Sequence, residues 1–138
     1  MLDIEKIRNI DSQGMYEIYD KWPEIARETY ESNLDLVDFK NIDHIVFAGM
    51  GGSGAIGDLF ASILSKTNIH VSVVKGYLLP KTVDKNTLIV TTSVSGNTIE
   101  TLTVLSTAKD LDCNVIAFSS GGKMEEYCIK HKINFKKI

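Results

Sequence analysis

From His44 onward the chain repeats one unit: a short β-branched run, a turn rich in glycine and serine, then a stretch with helical periodicity. The runs are residues 45–48, 69–74, 88–92, 115–118 and 133–135. Segments of that length, bounded by turn residues, predict strands. Helices are expected at about 54–65, 98–110 and 123–132. Strands separated by helices pair in parallel, and nearly continuous apolar strands imply burial on both faces, with right-handed crossovers placing helices above and below the sheet. The expectation is a three-layer α/β/α fold with five parallel strands in the flavodoxin-like order 2-1-3-4-5. The connection 75–86, which contains Pro80, departs from the repeat and fits either a short helix or an irregular crossover.

The first forty residues follow another pattern. Ile4, Ile7, Ile10, Ile18, Trp22, Ile25, Tyr30 and Leu34 fall at helical spacing, which predicts two or three helices. Pro23 suits the first turn of a fresh helix, where its missing N–H costs nothing, and Glu24 favours that positive end. Residues 1–40 are therefore expected to form a helical packing or dimerisation arm, and 41–138 the α/β domain. A total of 138 residues suits one domain overall. On the helices of the α/β part, Leu59, Phe60, Ile63, Leu64, Leu102, Leu105 and Ala108 are the expected core, with Met124, Tyr127 and Cys128 as a further packing stripe.

Composition excludes several functions. An apolar share of 43% is that of an ordinary globular chain. Its runs fall far short of the roughly 20 residues a membrane helix needs, so no membrane partner is expected. The start at Met1-Leu2-Asp3-Ile4-Glu5-Lys6 does not look like a secretory signal, and a cytoplasmic location is expected. A net charge of −3 with only two arginines, Arg8 and Arg27, argues against a nucleic-acid surface. Cys113 and Cys128 lack pairing or metal-ligand spacing and are expected to be buried structural thiols, with no metal bound.

Two loops carry the chemistry. Gly49-Met50-Gly51-Gly52-Ser53-Gly54 follows the first strand and opens a helix, so its amides and the positive helix end converge on the strand's C-terminal edge, where an anion belongs. Gly49, Gly51 and Gly54 also satisfy the dinucleotide pattern GxGxxG, but Val73-Val74-Lys75-Gly76 ends the second strand where an acidic residue should hold a ribose. A tight turn without a ligand satisfies the pattern too. The second loop, Ser93-Val94-Ser95-Gly96-Asn97-Thr98, offers three hydroxyls ahead of another helix. Plain capping would account for Asn97, as the cap, and for Glu100, reaching back from the third helical position. It leaves Ser93 and Ser95 unexplained. In the order 2-1-3-4-5 the first and third strands are neighbours whose crossovers leave on opposite faces, and both loops would then flank the crevice where ligands bind.

Met50-Gly51-Gly52-Ser53-Gly54 and Ser93-Val94-Ser95-Gly96-Asn97-Thr98-Ile99-Glu100-Thr101 resemble the sugar isomerase (SIS) domain family. The likeness is greatest to bifunctional glucose-6-phosphate and mannose-6-phosphate isomerases and covers about residues 15–138. It implies that the loop residues Ser93, Ser95, Gly96, Asn97 and Thr98 bind a sugar phosphate, with Ser93, Ser95 and Thr98 gripping it, and that Gly51, Gly52 and Ser53 lie against the sugar. Val94 stands where relatives often carry an aromatic residue. The resemblance implies no cofactor. It also implies a partner, a homodimer or a second SIS domain, because such isomerases carry two domains in tandem. Their glutamate base and ring-opening histidine come from the second domain or a partner subunit, and an arginine just beyond the last strand of the first domain contributes as well.

Aldose-ketose isomerisation needs a base to move a proton between adjacent carbons and a further group to open the ring. Glu100 is the one carboxylate beside the second loop and the only catalytic candidate in the chain. Asp58 is expected to be solvated or capping. His44 and His70 start strands, at the edge opposite the crevice, and His131 suits a helix end. The expected function is binding of a phosphorylated sugar, as the N-terminal half of an isomerase. The alternative is a non-catalytic sugar-phosphate sensor.

Overall fold

The computed structural model describes residues 3–32 and 37–138, so Met1, Leu2 and Leu34 lie outside the described residues. The chain divides into two compact units, Met1–Leu36 and Val37–Ile138. The first contains α1 (Ile4–Ile10), α2 (Met15–Asp20) and α3 (Trp22–Glu31). Asp3 caps α1 by accepting the Lys6 N–H at 2.9 Å. The Asp11 carboxylate accepts the Tyr16 N–H, and such backbone donors hold its pKa below the usual carboxylate value. Pro23 lies in the first turn of α3, as expected. None of the three helices has a buried residue, and Tyr19 meets Trp22 edge-on at 4.6 Å.

The second unit runs β1 (His44–Ala48), α4 (Gly51–Leu64), β2 (His70–Val74), β3 (Thr87–Thr92), α5 (Ile99–Asp110), β4 (Asn114–Ser119), α6 (Gly122–His131) and β5 (Asn134–Lys137). All strand pairs are parallel, in the order β2-β1-β3-β4-β5. This is the topology expected from the strand-turn-helix repeat. The connection from β2 to β3 contains no helix, which settles the open alternative for 75–86 in favour of an irregular crossover. Leu79 and Val83 from it pack on the core.

The two sheet faces are covered unequally. On one, Val46, Ile89 and Ala117 are fully buried with Val104, Leu105 and Ala108 of α5 and Met124 and Cys128 of α6. On the other, Phe47, Val90 and Phe118 are half-buried. Here α4 approaches through glycine: a Cβ on Gly57 would stand 2.9 Å from Phe47 Cβ and 3.1 Å from a Val73 methyl. Gly54, Gly57, Ala61 and Leu64 share its more buried side, at helical spacing. The expectation that Leu59, Phe60 and Ile63 are core is therefore overturned, since they are 59%, 43% and 57% exposed. The small residues make the close contact, Phe60 stacks on Phe47 at 5.4 Å, and Leu59 and Ile63 turn outward. Leu105 and Ala108 are core as expected, and Leu102 packs at its margin. Cys128 is buried, but Cys113 is only half-buried, contrary to expectation.

At the N-terminal edge of the sheet, His44 is 5% exposed, with Nε2 3.0 Å from Ser72 Oγ and its ring 4.6 Å from that of His70. Desolvation and the neighbouring His70 hold its pKa below the usual histidine value, against the pull of Asp43 and Asp84. His131, in the last turn of α6, stacks on Tyr127 at 4.2 Å.

Candidate functional site

Strand register brings the two loops together. Ala48 pairs with Val74 on one side and with Thr91 on the other, so β1, β2 and β3 end level. The Gly49 N–H donates to the Val74 carbonyl at 3.1 Å. A Cβ on Gly49 would lie 2.9 Å from the Thr92 carbonyl oxygen, closer than real side chains come. Glycine at 49 is what lets the first loop lie against the end of β3, next to where the second loop begins. Met50 is extended, and Gly51 then turns the chain at a φ of +55°, a conformation costly for other residues. The α4 helix thus starts at Gly51, three residues earlier than the sequence suggests. Its ladder opens with the Gly54 N–H donating to Met50 O at 3.3 Å, so the amides of Gly51, Gly52 and Ser53 are left to other partners. Gly51 and Gly52 are exposed.

In the second loop the hydroxyls divide their tasks. Ser93 is 3% exposed, and its Oγ donates to Thr98 Oγ1 at 3.0 Å. Thr98 accepts in that bond and keeps its own proton for another partner. Ser95 is exposed, and its Oγ accepts the Asn97 N–H at 3.3 Å, which also leaves a hydroxyl proton to donate. Gly96, at a φ of +66°, is buried, with its N–H on Ser93 O and its carbonyl accepting from Met124 N–H, each at 3.0 Å. The N-cap of α5 is Thr98, without a side-chain capping bond. Asn97 and Glu100 therefore do not form the cap pair that the sequence allows. The Asn97 side chain reaches α6 instead, accepting the Lys123 N–H at 3.2 Å. Glu100 is half-buried in the first turn of α5.

A third loop, 119–122 between β4 and α6, was missed in the sequence reading. The Ser120 N–H and hydroxyl both donate to the Val94 carbonyl. A Cβ on Gly96 would come within 1.8 Å of Gly121 O, so the second and third loops interlock at glycine. The signal was there: Ser119-Ser120-Gly121-Gly122 after a strand has the same composition as the other two turns. Lys75 supplies the nearest cation to the first loop. Its stem lies 3.2 Å from where a Gly54 Cβ would sit, while its ammonium pairs with Asp58. Asp58, expected to be solvated or capping, is thus an ion-pair partner. A cavity of about 260 Å³ adjoins the first loop, reaching from Ser53 and Thr92 to Phe60, Phe118 and Ile138. Its walls are mainly apolar, and the polar donors lie in the loops at its rim. Among the described residues no group of three or more His, Cys, Asp and Glu is arranged to hold a metal.

A family model described as SIS domain matches residues 38–131. The chain is 38% identical over 120 residues to the bifunctional phosphoglucose/phosphomannose isomerase of Caldicellulosiruptor bescii, covering 84% of this chain and 35% of that protein. It is 32% identical over 115 residues to D-glucosamine-6-phosphate 4-epimerase of Sulfolobus acidocaldarius, covering 81% and 35% respectively. It spans about a third of the length of these curated relatives. Among solved structures, tagatose-6-phosphate ketose/aldose isomerase of Escherichia coli superposes with a TM-score of 0.55 at 18% identity, covering 94% of this chain and 34% of that one. At that identity the likeness is one of fold.

Proposed function

The chain belongs to the SIS domain family, and from that premise we propose that its first two loops bind the phosphate of a phosphorylated sugar, as the N-terminal part of a phosphoglucose/phosphomannose isomerase. The observation that carries this reading is the close approach of Gly49, at the head of the first loop, to the Thr92 carbonyl, one residue before the second. The amides of Gly51, Gly52 and Ser53 and the hydroxyls of Ser95 and Thr98 then act together on a dianion, with Ser93 aiming Thr98. Hydrogen bonds to a charged group contribute about 1.5–3 kcal/mol each. The positive ends of α4 and α5 add about 0.3–1 kcal/mol apiece. Such a site needs no arginine.

Phosphate binding fixes the sugar without performing the proton transfer. The base and the ring-opening group lie outside this chain in our reading, and Glu100, in the first turn of α5, is the carboxylate candidate it offers. The site is completed by a second SIS domain, in the same polypeptide or in another copy of it. The exposed Ile56, Leu59 and Ile63 on α4 support such pairing, because neighbouring exposed apolar side chains favour association. Its two free cysteines suit a reducing, cytoplasmic setting.

Thermal denaturation with fructose 6-phosphate tests the reading. We expect stabilisation by the phosphorylated sugar, none by fructose, and loss of the effect in the Ser95→Ala/Thr98→Ala double variant. Equal stabilisation by fructose, or an effect that survives the double variant, would contradict it. A coupled isomerase assay then separates an isomerase fragment completed by a second domain from a sensor, which binds without turnover in any assembly.

A further inference from the structure

Asn97 is exposed, yet both ends of its side-chain amide are engaged by the protein. Its Nδ2 donates to the Ser95 carbonyl at 2.9 Å, and its Oδ1 accepts the Lys123 N–H at 3.2 Å. A carbonyl can only accept and an amide N–H only donate, so these two partners also fix which way the amide points. The first bond closes the turn around Gly96, and the second ties that turn to the first turn of α6. The Met124 N–H reinforces the tie at the Gly96 carbonyl, at 3.0 Å. There is no slack opposite: a Cβ on Gly122, at a φ of +70°, would lie 2.6 Å from Ser95 O and 3.0 Å from Asn97 Nδ2. Ser95 is thus held from both sides.

We propose that Asn97 is a positioning residue, which sets the Ser95 hydroxyl and couples the second loop to the start of α6, without touching the ligand. The inference rests on the reading of that loop as a phosphate site. Neutral donors grip an anion well only when they already converge, because ordering them on binding subtracts from affinity. The amide's two bonds supply that order before the ligand arrives. Its span also explains why an asparagine placed like a cap of α5 leaves that helix without a side-chain cap.

Calorimetric titration with fructose 6-phosphate tests this in five proteins: wild type, Asn97→Ala, Lys123→Pro, their double variant and a Lys123→Ala control. Proline is tolerated in a first helical turn and removes the N–H that Asn97 accepts, together with the lysine charge. Comparison with Lys123→Ala, which loses the same charge but keeps the N–H, isolates that bond. Each clamp variant should weaken binding by about tenfold, the scale of one well-placed hydrogen bond to an anion. The double variant should be no weaker than the poorer single one, since both break one clamp. The Lys123 amide resonance should shift on ligand addition in wild type and stay put in Asn97→Ala. Losses that multiply would mean that Asn97 contacts the ligand independently, and would overturn the proposal. So would a lower melting temperature with unchanged affinity, which would leave Asn97 a stability role alone. If wild type binds and Asn97→Ala binds as tightly, this inference alone falls; if wild type does not bind at all, the phosphate reading falls with it.

Discussion

Four side chains away from the loops carry tests of their own. Burial raises the Cys128 thiol to about 11, and Cys113 is raised as well, by burial and by Asp84 and Asp112, yet is half-buried. Ellman's reagent at pH 8 should therefore label Cys113 slowly and Cys128 only after unfolding. Equal rates would contradict the packing of α6. His44 stays neutral in the fold at pH values where the unfolded chain begins to bind protons. Its contribution to stability is thus complete above the ordinary pKa of about 6.5 and declines as pH falls from there towards the depressed native value. Urea midpoints should drop between pH 7.5 and 5.5, with a shallower drop in His44→Gln. Thr91 is fully buried, and its hydroxyl has no hydrogen-bond partner among the described residues. Thr91→Val keeps the shape and removes the desolvated group, so it should be neutral or stabilise by about 1 kcal/mol in urea unfolding.

Helix α4 places the first loop, and its seat depends on glycine. A methyl at position 57 meets Phe47 at 2.9 Å, so Gly57→Ala should push the helix off β1 and cost about 1–3 kcal/mol, read from the urea midpoint. The same helix shows where local pattern stops being informative. Strand positions were legible to within a residue or two at each end, because β-branched runs such as Ile89-Val90-Thr91-Thr92 have few other uses. Periodicity also located α4, but it offered two stripes: Leu59, Phe60 and Ile63, or Gly54, Gly57 and Ala61. Burial favours the first in general; the close approach to Phe47 and Val73 selects the second, and only the paired strands reveal it. The capping alternative for Asn97 fails for a similar reason. Asparagine followed three residues later by glutamate satisfies the local grammar of a cap, while its actual acceptor bond spans 26 residues to Lys123. The two donor loops were legible because each is defined by its own residues. The third was not, because its serines and glycines gain meaning only by interlocking with Gly96.

Over the whole α/β unit, the unequal cover of the sheet and the loop crevice are separate features with separate tests. If the α4 stripe pairs with another SIS domain, sedimentation should show concentration-dependent association that Leu59→Glu/Ile63→Glu abolishes, and a monomer at high concentration would count against pairing. The crevice bears on function more directly. Amide resonances of ¹⁵N-labelled protein titrated with fructose 6-phosphate report every donor at once. The account predicts that Gly51, Gly52 and Ser53 shift together with Ser95 and Thr98 along a single saturation curve, and that fructose moves none of them. Shifts confined to one loop, or to residues outside both, would contradict the claim that the two turns hold one phosphate.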